Sequence, residues 1–178
     1  MAEQSQQPPL LAMNHVGLTV DDLDSAVAWY TDVLGFRLIY GPLTTSAEDE
    51  ATACKFRDFF GEGWREMRQA HLSTANGTGL ELFEFESPAT ERRTEKFEYW
   101  KTGLFHICVT APDVAALASR IAETGGRRRT EVWPAFPDGG EFCYCEDPFG
   151  NVVEVISHSY EQLHANRQSA EEQPTSRD

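Results

Sequence analysis

Residues 15–20 alternate between apolar side chains and small or polar ones, which is the pattern of a half-buried β-strand. A period of two turns valine and leucine to one face and leaves His15 on the other face, beside glycine and threonine. A helix is predicted next, because Asp21 or Asp22 can cap its first turn and Gly35 can end it. The apolar positions between them have helical spacing: Leu23, Ala26, Val27, Tyr30 and Leu34.

The following part of the chain predicts three more strands and an insertion. Residues 36–40 form the first strand, whereas residues from about 41–63 are rich in Gly, Pro, Ser and acidic side chains, and their aromatic residues follow no clear period. Residues 67–73 and 80–85 predict the other two strands. The Asn76-Gly77 step between these strands favours a tight hairpin turn.

The second half of the chain repeats the first. Three pairs of residues keep one offset of 91 positions: His15 with His106, Asp22 with Asp113, and Gly35 with Gly126. A duplicated module explains the constant offset. The second copy predicts a strand at 104–110, a helix from Pro112 or Asp113 to Thr124, strands near Thr130 and at 142–145, and a last strand at 151–156.

The repeat and the polar segments around it define the domain organisation. We expect a flexible segment at 1–10, a first module at 11–86 with its insertion at about 41–63, a connector at 87–103, a second module at 104–160 and a flexible tail at 161–178. The folded part has roughly 150 residues, which suits one domain with a sizeable core.

Charge and cysteine content limit the partners of the chain. The formal net charge is −14, and residues 127–129 are the one basic run, so nucleic acid and anionic membranes have little electrostatic attraction for this protein. No apolar segment approaches the roughly 20 residues of a membrane span, and the polar start does not resemble a signal peptide. Four cysteines in 178 residues form no dense disulfide framework. These features predict a cytoplasmic protein with reduced thiols.

Two histidines and two glutamates stand at matching places in the two modules. Glu81 and Glu154 lie within apolar strands, where an unpaired buried carboxylate is unfavourable. Together with His15 and His106 they offer imidazole nitrogens and carboxylate oxygens to a divalent ion. We therefore predict one divalent metal ion per site, with open positions for water or a small-molecule substrate. Ni²⁺, Zn²⁺, Co²⁺, Mn²⁺ and Fe²⁺ all suit this donor set.

Short motifs in both modules resemble the vicinal oxygen chelate superfamily, over about residues 12–157. They are Asn14-His15-Val16-Gly17-Leu18-Thr19-Val20, Trp29-Tyr30 with Leu34-Gly35-Phe36, Leu80-Glu81-Leu82, Phe105-His106-Ile107, and Asp147-Pro148-Phe149-Gly150-Asn151 before Val153-Glu154-Val155. This superfamily includes glyoxalase I, methylmalonyl-CoA epimerase, extradiol dioxygenases, and the fosfomycin- and bleomycin-resistance proteins.

The resemblance implies an α+β fold in which paired βαβββ modules form a curled mixed sheet around a metal-binding cup. The first and last strand of each module would supply the ligands, which here are His15, Glu81, His106 and Glu154. A four-ligand set with glutamate at position 81 is most similar to glyoxalase I. It implies a metal-dependent lyase or isomerase in which Glu154 or Glu81 moves a proton through a metal-stabilised enediolate. A homodimer is implied as well.

Two positions depart from glyoxalase I, and alternatives stay open. That enzyme typically holds the glutathione carboxylate with an arginine and an asparagine, each four residues after a ligand, whereas this chain has Thr19 and Phe85 there. Glutathione specificity therefore does not follow from the resemblance. One alternative is a metal-free binding or resistance protein. Another is an Fe(II)-dependent dioxygenase that uses two histidines and Glu154. A site within one chain and a site shared across a dimer are both compatible with the sequence.

A few further residues are candidates for substrate contact. Arg65, Arg68 and Lys101 can meet an anionic group, and Trp133 and Phe136 can belong to an aromatic loop over the cup.

Other conspicuous residues predict structural roles. Glu84 is three positions from Glu81 and therefore points to the opposite strand face. Cys143 and Cys145 share a strand face as small buried residues. The remaining histidines are predicted to take no part in the site: His71, His158 and His164.

Overall fold

Two units make up the chain, Met1–Arg92 and Arg93–Asp178, and each contains its own mixed β-sheet. The structure is a computed structural model that describes residues 9–93, 97–137 and 139–165. Helices and strands of both units confirm the predicted α+β class, in the form of two curled sheets. None of the helices in the described ranges has the length and apolar character that a membrane crossing requires.

The first unit has the order β-α-β-β-β with one additional helix. Its elements are β1 His15–Thr19, α1 Leu23–Asp32, β2 Arg37–Ser46, α2 Glu50–Phe60, β3 Glu66–Ser73 and β4 Gly79–Ser87. The strand order in the sheet is β1-β4-β3-β2. β1 runs parallel to β4, and the other pairs are antiparallel.

Helix α1 covers one face of this sheet. Asp22 caps it by accepting a 2.9 Å hydrogen bond from the backbone N–H of Ser25, and this bond is the main reason why the pKa of the Asp22 carboxyl is lowered. Arg68 of β3 joins the helix to the sheet through Asp24, at 2.8 Å, and through Glu84 of β4, at 2.9 Å. The helix buries four side chains with helical spacing: Leu23, Ala26, Trp29 and Tyr30.

The second unit repeats this plan. Its elements are β5 Ile107–Thr110, α3 Val114–Glu123, β6 Arg127–Arg128, β7 Trp133–Phe136, β8 Gly139–Glu146, β9 Val152–Ile156 and α4 Tyr160–His164. The strand order is β5-β9-β8-β6, with β7 paired to β8. β5 and β9 are parallel, as β1 and β4 are in the first unit. Cys143 and Cys145 are fully buried residues of β8, with their sulfurs 3.8 Å apart.

The predicted insertion contains regular structure. β2 continues to Ser46, and α2 follows behind Asp49, whose carboxylate accepts from the backbone N–H of Ala51. Phe56, Phe59 and Phe60 of α2 have the i, i+3, i+4 spacing of one helix face. The statement that these aromatic residues follow no period was therefore wrong.

Arg127 and Arg129 of the basic run both form ion pairs with the buried carboxylate of Glu146. Two predictions in the second half also need correction. Residues 133–136 form the strand β7 rather than a loop, because their backbone pairs with β8. The predicted tail at 161–178 begins within α4, which Leu163 anchors by burial. The rest of that tail from residue 166, and residues 1–8 of the predicted flexible start, lie outside the described residues.

Replacing Gly126 with alanine is expected to destabilise the second unit. An added Cβ would lie 2.4 Å from the carbonyl oxygen of Glu146 and 2.7 Å from Cγ2 of Ile121, so the turn between α3 and β6 would have to move. Such overpacking costs about 1–3 kcal/mol in the free energy of unfolding. Urea unfolding measures this loss. Gly63→Ala is the matched control with no expected loss, because nothing lies within 4 Å of its added Cβ.

Candidate metal centre

The first histidine–glutamate pair lies on two neighbouring parallel strands. His15 opens β1 opposite Gly79, and Glu81 lies two residues further along β4, opposite Gly17. Gly79 leaves room for the imidazole, because a Cβ added there would lie 3.0 Å from the Cβ of His15. His15 Nε2 is 3.4 Å from Glu81 Oε2.

A hydrogen bond to Asn14 determines where His15 carries its proton. His15 Nδ1 lies 2.7 Å from Oδ1 of Asn14, and an amide oxygen only accepts, so Nδ1 carries the hydrogen. In the neutral ring Nε2 is then unprotonated and faces a carboxylate oxygen of Glu81. Either a proton on Nε2 or a metal cation between the two atoms makes this contact favourable. A second interaction that orients a histidine in this way is typical of metal ligands.

The second pair has the same arrangement in the other unit. His106 directly precedes β5, Glu154 lies on the parallel strand β9, and the distance from Nε2 to Oε2 is 3.1 Å. The His106 ring packs against Phe105 and Tyr144, with ring centroids 4.4 Å and 5.5 Å apart. Within the described residues its buried Nδ1 has no hydrogen-bond partner. Aromatic packing therefore orients His106, whereas Asn14 orients His15.

Two proton donors accompany Glu154. Cys108 of β5 and Tyr144 of β8 are its direct partners in the strand register. Loss of hydration, together with the charge of Glu154 and a hydrogen bond to it, raises the pKa of the partly exposed Cys108 thiol to about 12. Loss of hydration, followed by the charges of Glu154 and Cys108, also raises the pKa of the Tyr144 hydroxyl. Both groups are therefore protonated at neutral pH.

The spacing within each pair fits a divalent ion. Two ligand atoms about 2.1 Å from such an ion are about 3.0 Å apart at a right angle and about 3.4 Å apart at the tetrahedral angle. The two nitrogen–oxygen separations, 3.4 and 3.1 Å, fall within this range. Each unit thus contains one imidazole–carboxylate pair with this spacing. In the described ranges no three or more His, Cys, Asp or Glu residues are arranged as a complete metal site.

His71 contacts Glu81, although it was predicted to take no part in the site. It lies on β3 directly opposite Glu81, and its Nδ1 is 3.2 Å from Glu81 Oε1. The hairpin register, which follows from the Asn76-Gly77 turn, is the signal that could have identified it. The other two histidines contact residues outside the two pairs, namely Ser157 for His158 and the rings of Tyr160 and Phe136 for His164.

The sequence and the fold of this chain are similar to those of known proteins. The model of the Glyoxalase/Bleomycin resistance protein/Dioxygenase superfamily matches residues 12–155 of this chain. The chain belongs to this superfamily. Its membership confirms the resemblance noted from the sequence motifs.

Relatives within the Glyoxalase/Bleomycin resistance protein/Dioxygenase superfamily include an epimerase and several lyases. A 2-epi-5-epi-valiolone epimerase from Actinomyces sp is 30% identical over 154 residues, which cover 84% of this chain and 81% of the relative. A lactoylglutathione lyase from Pseudomonas putida is 26% identical over 165 residues, with 80% and 83% covered. Among solved structures, a glyoxalase family protein from Bacillus cereus is similar in fold, with a TM-score of 0.71, 22% identity, and 85% and 97% covered.

The three cationic residues that were predicted to contact substrate form hydrogen bonds or ion pairs within the protein. Arg65 donates to the backbone oxygens of Glu62 and Trp64 at 2.5 and 2.8 Å, and Lys101 pairs with Glu98 at 2.5 Å. Arg68 joins α1 to the sheet, and its partner Glu84 has the structural position predicted for it.

The two predicted aromatic contacts lie on the short strand β7. Trp133 is 58% exposed, and the ring of Phe136 lies 5.6 Å from that of His164. A substrate role for Arg65, Lys101, Trp133 and Phe136 stays a prediction.

An apolar surface lies beside Glu81 on the same face of the first sheet. Phe83 and Phe85 follow Glu81 at intervals of two residues along β4, and Phe60 of α2 lies 6.4 Å and 5.2 Å from their rings. Gly17 of β1 accommodates Phe83, since a Cβ added there would lie 3.3 Å from that ring. The resemblance to glyoxalase I predicts an asparagine at position 85, whereas this chain has phenylalanine there. The surface therefore offers apolar contact where a glutathione site needs a polar side chain.

Proposed function

We propose that this protein is a divalent-metal-dependent lyase or isomerase of the glyoxalase I-like type, which moves a proton on a small oxygenated substrate. The observation that carries the proposal is the pair of histidine–carboxylate contacts, one in each unit, at corresponding places of a duplicated module. The relatives named as an epimerase and as lactoylglutathione lyases support chemistry of this class.

His15, Glu81, His106 and Glu154 are the proposed ligands of one ion, which is Ni²⁺, Zn²⁺, Co²⁺, Mn²⁺ or Fe²⁺. Such an ion would polarise a substrate oxygen and so acidify the neighbouring C–H bond. Asn14 and the aromatic contacts of His106 hold the two imidazoles in orientation.

Glu154 is the proposed base that accepts and returns the proton, with Glu81 as the second candidate. Cys108 and Tyr144 stand beside Glu154 as protonated donors, so its carboxylate lies among groups able to exchange hydrogen bonds during the transfer. Glu81 instead has an imidazole at each of its oxygens.

The alternatives explain less of the site. A metal-free binding or resistance protein would have no need for two matched histidine–glutamate pairs. An Fe(II)-dependent dioxygenase would leave Glu81 outside its triad, although Glu81 makes the same contact to His15 that Glu154 makes to His106.

We further propose that the enzyme acts in the cytoplasm as a homodimer. All four cysteines are free thiols, which suits a reducing compartment. The dimer rests on the family resemblance.

Glutathione is not the substrate that we propose. Thr19 and Phe85 replace the polar side chains that would hold its carboxylate, and Phe85 is part of the aromatic cluster with Phe60. A compact oxygenated carbon skeleton without a long anionic arm fits these residues better. The relative that acts as a 2-epi-5-epi-valiolone epimerase makes that compound a suitable first probe.

Solvent exchange tests the proposed reaction. The protein is loaded with each metal in turn and incubated in D₂O with 2-epi-5-epi-valiolone, with other α-hydroxy ketones, or with the hemithioacetal of methylglyoxal and glutathione. We expect metal-dependent deuterium incorporation next to the carbonyl of a ketone, at least tenfold faster than reaction of the hemithioacetal, as measured by NMR. Faster turnover of the hemithioacetal would contradict the exclusion of glutathione. No exchange and no product with any metal and any probe would overturn the enzyme assignment.

A further inference from the structure

The carboxylate of Glu81 lies between two histidines from two different strands. His15 of β1 approaches Oε2, with its Nε2 at 3.4 Å, and His71 of β3 approaches Oε1, with its Nδ1 at 3.2 Å. Each carboxylate oxygen thus has one imidazole. The repeat and the family resemblance both leave His71 without a function.

The sheet register explains why His71 reaches Glu81. The two residues are direct partners across the antiparallel pair β3–β4, so their side chains leave the sheet on the same face. Tyr40 of β2 is the next partner in the row, and its ring lies 5.6 Å from the imidazole. His71 is therefore confined between Tyr40 and Glu81, and its orientation is determined by the packing of three neighbouring strands.

His71 can donate to Glu81 without a positive charge. A neutral imidazole carries one hydrogen, and with that hydrogen on Nδ1 the ring is a donor towards Oε1. The contact leaves Oε2 turned towards His15. A carboxylate that is anchored through one oxygen presents its other oxygen in a fixed direction. Carboxylates that bind metals are commonly oriented in this way by a hydrogen-bond donor.

The second module differs at this place. The residue opposite Glu154 on β8 is Tyr144, which has no imidazole nitrogen. In the described part of the second unit, the imidazole contact of Glu154 comes from His106 alone. The two carboxylates of the duplicated site therefore have unequal surroundings, although the strands that carry them correspond.

We propose that His71 is a positioning residue that fixes Glu81 as a permanent metal ligand, by holding Oε1 so that Oε2 faces the ion. This inference rests on the proposed metal-dependent function and extends it. Because Glu81 has this second imidazole and Glu154 has only His106 in the described part of the second unit, we assign the proton transfer to Glu154. The two glutamates occupy equivalent places in the repeat, but their surroundings differ, so Glu81 serves as the permanent ligand and Glu154 as the base.

Binding of Co²⁺ alone tests this role. Isothermal titration of metal-free protein with Co²⁺ is compared for wild type, His71→Phe and His71→Asn. The phenylalanine retains a ring against Tyr40 but has no N–H, and we expect it to weaken Co²⁺ binding about 10- to 100-fold. The asparagine offers an amide N–H close to the position of Nδ1, which can donate to Oε1 of Glu81 as the imidazole does. We therefore expect His71→Asn to bind Co²⁺ within about fivefold of wild type. Exposed His158 provides the control His158→Leu, for which no change is expected.

The outcomes separate this inference from the proposed function. Co²⁺ binding by wild type and equally by His71→Phe would overturn the role of His71 and leave the metal site intact. No binding by wild type would overturn both. If His71 were itself a ligand, His71→Asn would lose as much affinity as His71→Phe, which would also contradict a positioning role. Thermal unfolding of the metal-free variants checks folding, and His71→Leu replaces the phenylalanine variant if the latter is unfolded.

Discussion

Replacing Glu154 with glutamine is expected to lower the rate of proton transfer by about 10²- to 10⁴-fold, the usual contribution of a positioned general base. The amide oxygen of glutamine can still face the ion, but the amide cannot accept a proton at neutral pH. Because glutamine retains one oxygen ligand for the ion, metal binding is expected to fall by less than about tenfold. The deuterium exchange rate and a parallel Co²⁺ titration measure the two effects separately.

Two further variants test whether Glu154 or Glu81 is the base. Glu141→Gln removes an exposed carboxylate from the adjacent strand β8 and is expected to leave the exchange rate unchanged. Glu81→Gln is expected to lower metal affinity more than it lowers the exchange rate at saturating metal. The reverse pattern, with an active Glu154→Gln enzyme and an inactive Glu81→Gln enzyme at full metal occupancy, would move the role of base to Glu81.

Replacing His106 with alanine is expected to abolish the stabilisation that a divalent ion gives to the folded protein. An ion that binds only the folded state adds about 2.7 kcal/mol to the free energy of unfolding at a free concentration 100 times its Kd. Among the described residues Nδ1 of His106 has no hydrogen-bond partner, so the contact of Nε2 with Glu154 depends on packing of the ring against Phe105 and Tyr144. Alanine removes both the ligand and this packing.

Unfolding with and without metal separates the two losses. The metal-dependent increase in the unfolding free energy should disappear in His106→Ala and persist in the control His158→Ala. A smaller decrease without metal reports the lost ring contacts. An unchanged metal-dependent increase in His106→Ala would show that the ion binds elsewhere.

The sequence predicted those elements whose patterns are local. Alternation around His15 identified β1 because Val16 and Leu18 are less exposed than the residues between them, and Asp22 identified the start of α1 because its carboxylate caps the backbone of Ser25. The match between Glu81 and Glu154 followed from the repeat, since a duplicated module places equivalent residues on equivalent strands. The superfamily and the α+β fold are confirmed, whereas occupancy of the site by metal stays a proposal.

Other features depended on pairing partners that are distant in sequence. β7 contains Pro134, which argues against a strand, but the strand lies on β8 with limited pairing and tolerates the proline. α2 was missed because acidic and aromatic residues alternate along it irregularly, although Asp49 provides an N-cap signal.

The contact between His71 and Glu81 follows from the register of one hairpin. His71 and Glu81 are equally far from Asn76 along the chain, so the predicted turn at that residue already implies that they are opposite each other. The environment of Glu154 had no comparable local signal, because Cys108 and Tyr144 come from two other strands of the second unit.

Metal content is the measurement that tests the central claim most directly. Elemental analysis is made on purified wild-type protein, His15→Ala and Glu154→Ala, each after reconstitution with a divalent ion and removal of the excess. The two pairs of ligands predict close to one transition metal ion per site in wild type and loss of that ion in both variants. A wild-type protein that retains no ion, or variants that retain as much as wild type, would contradict the account, and a cup that binds small molecules without metal would then explain the fold better.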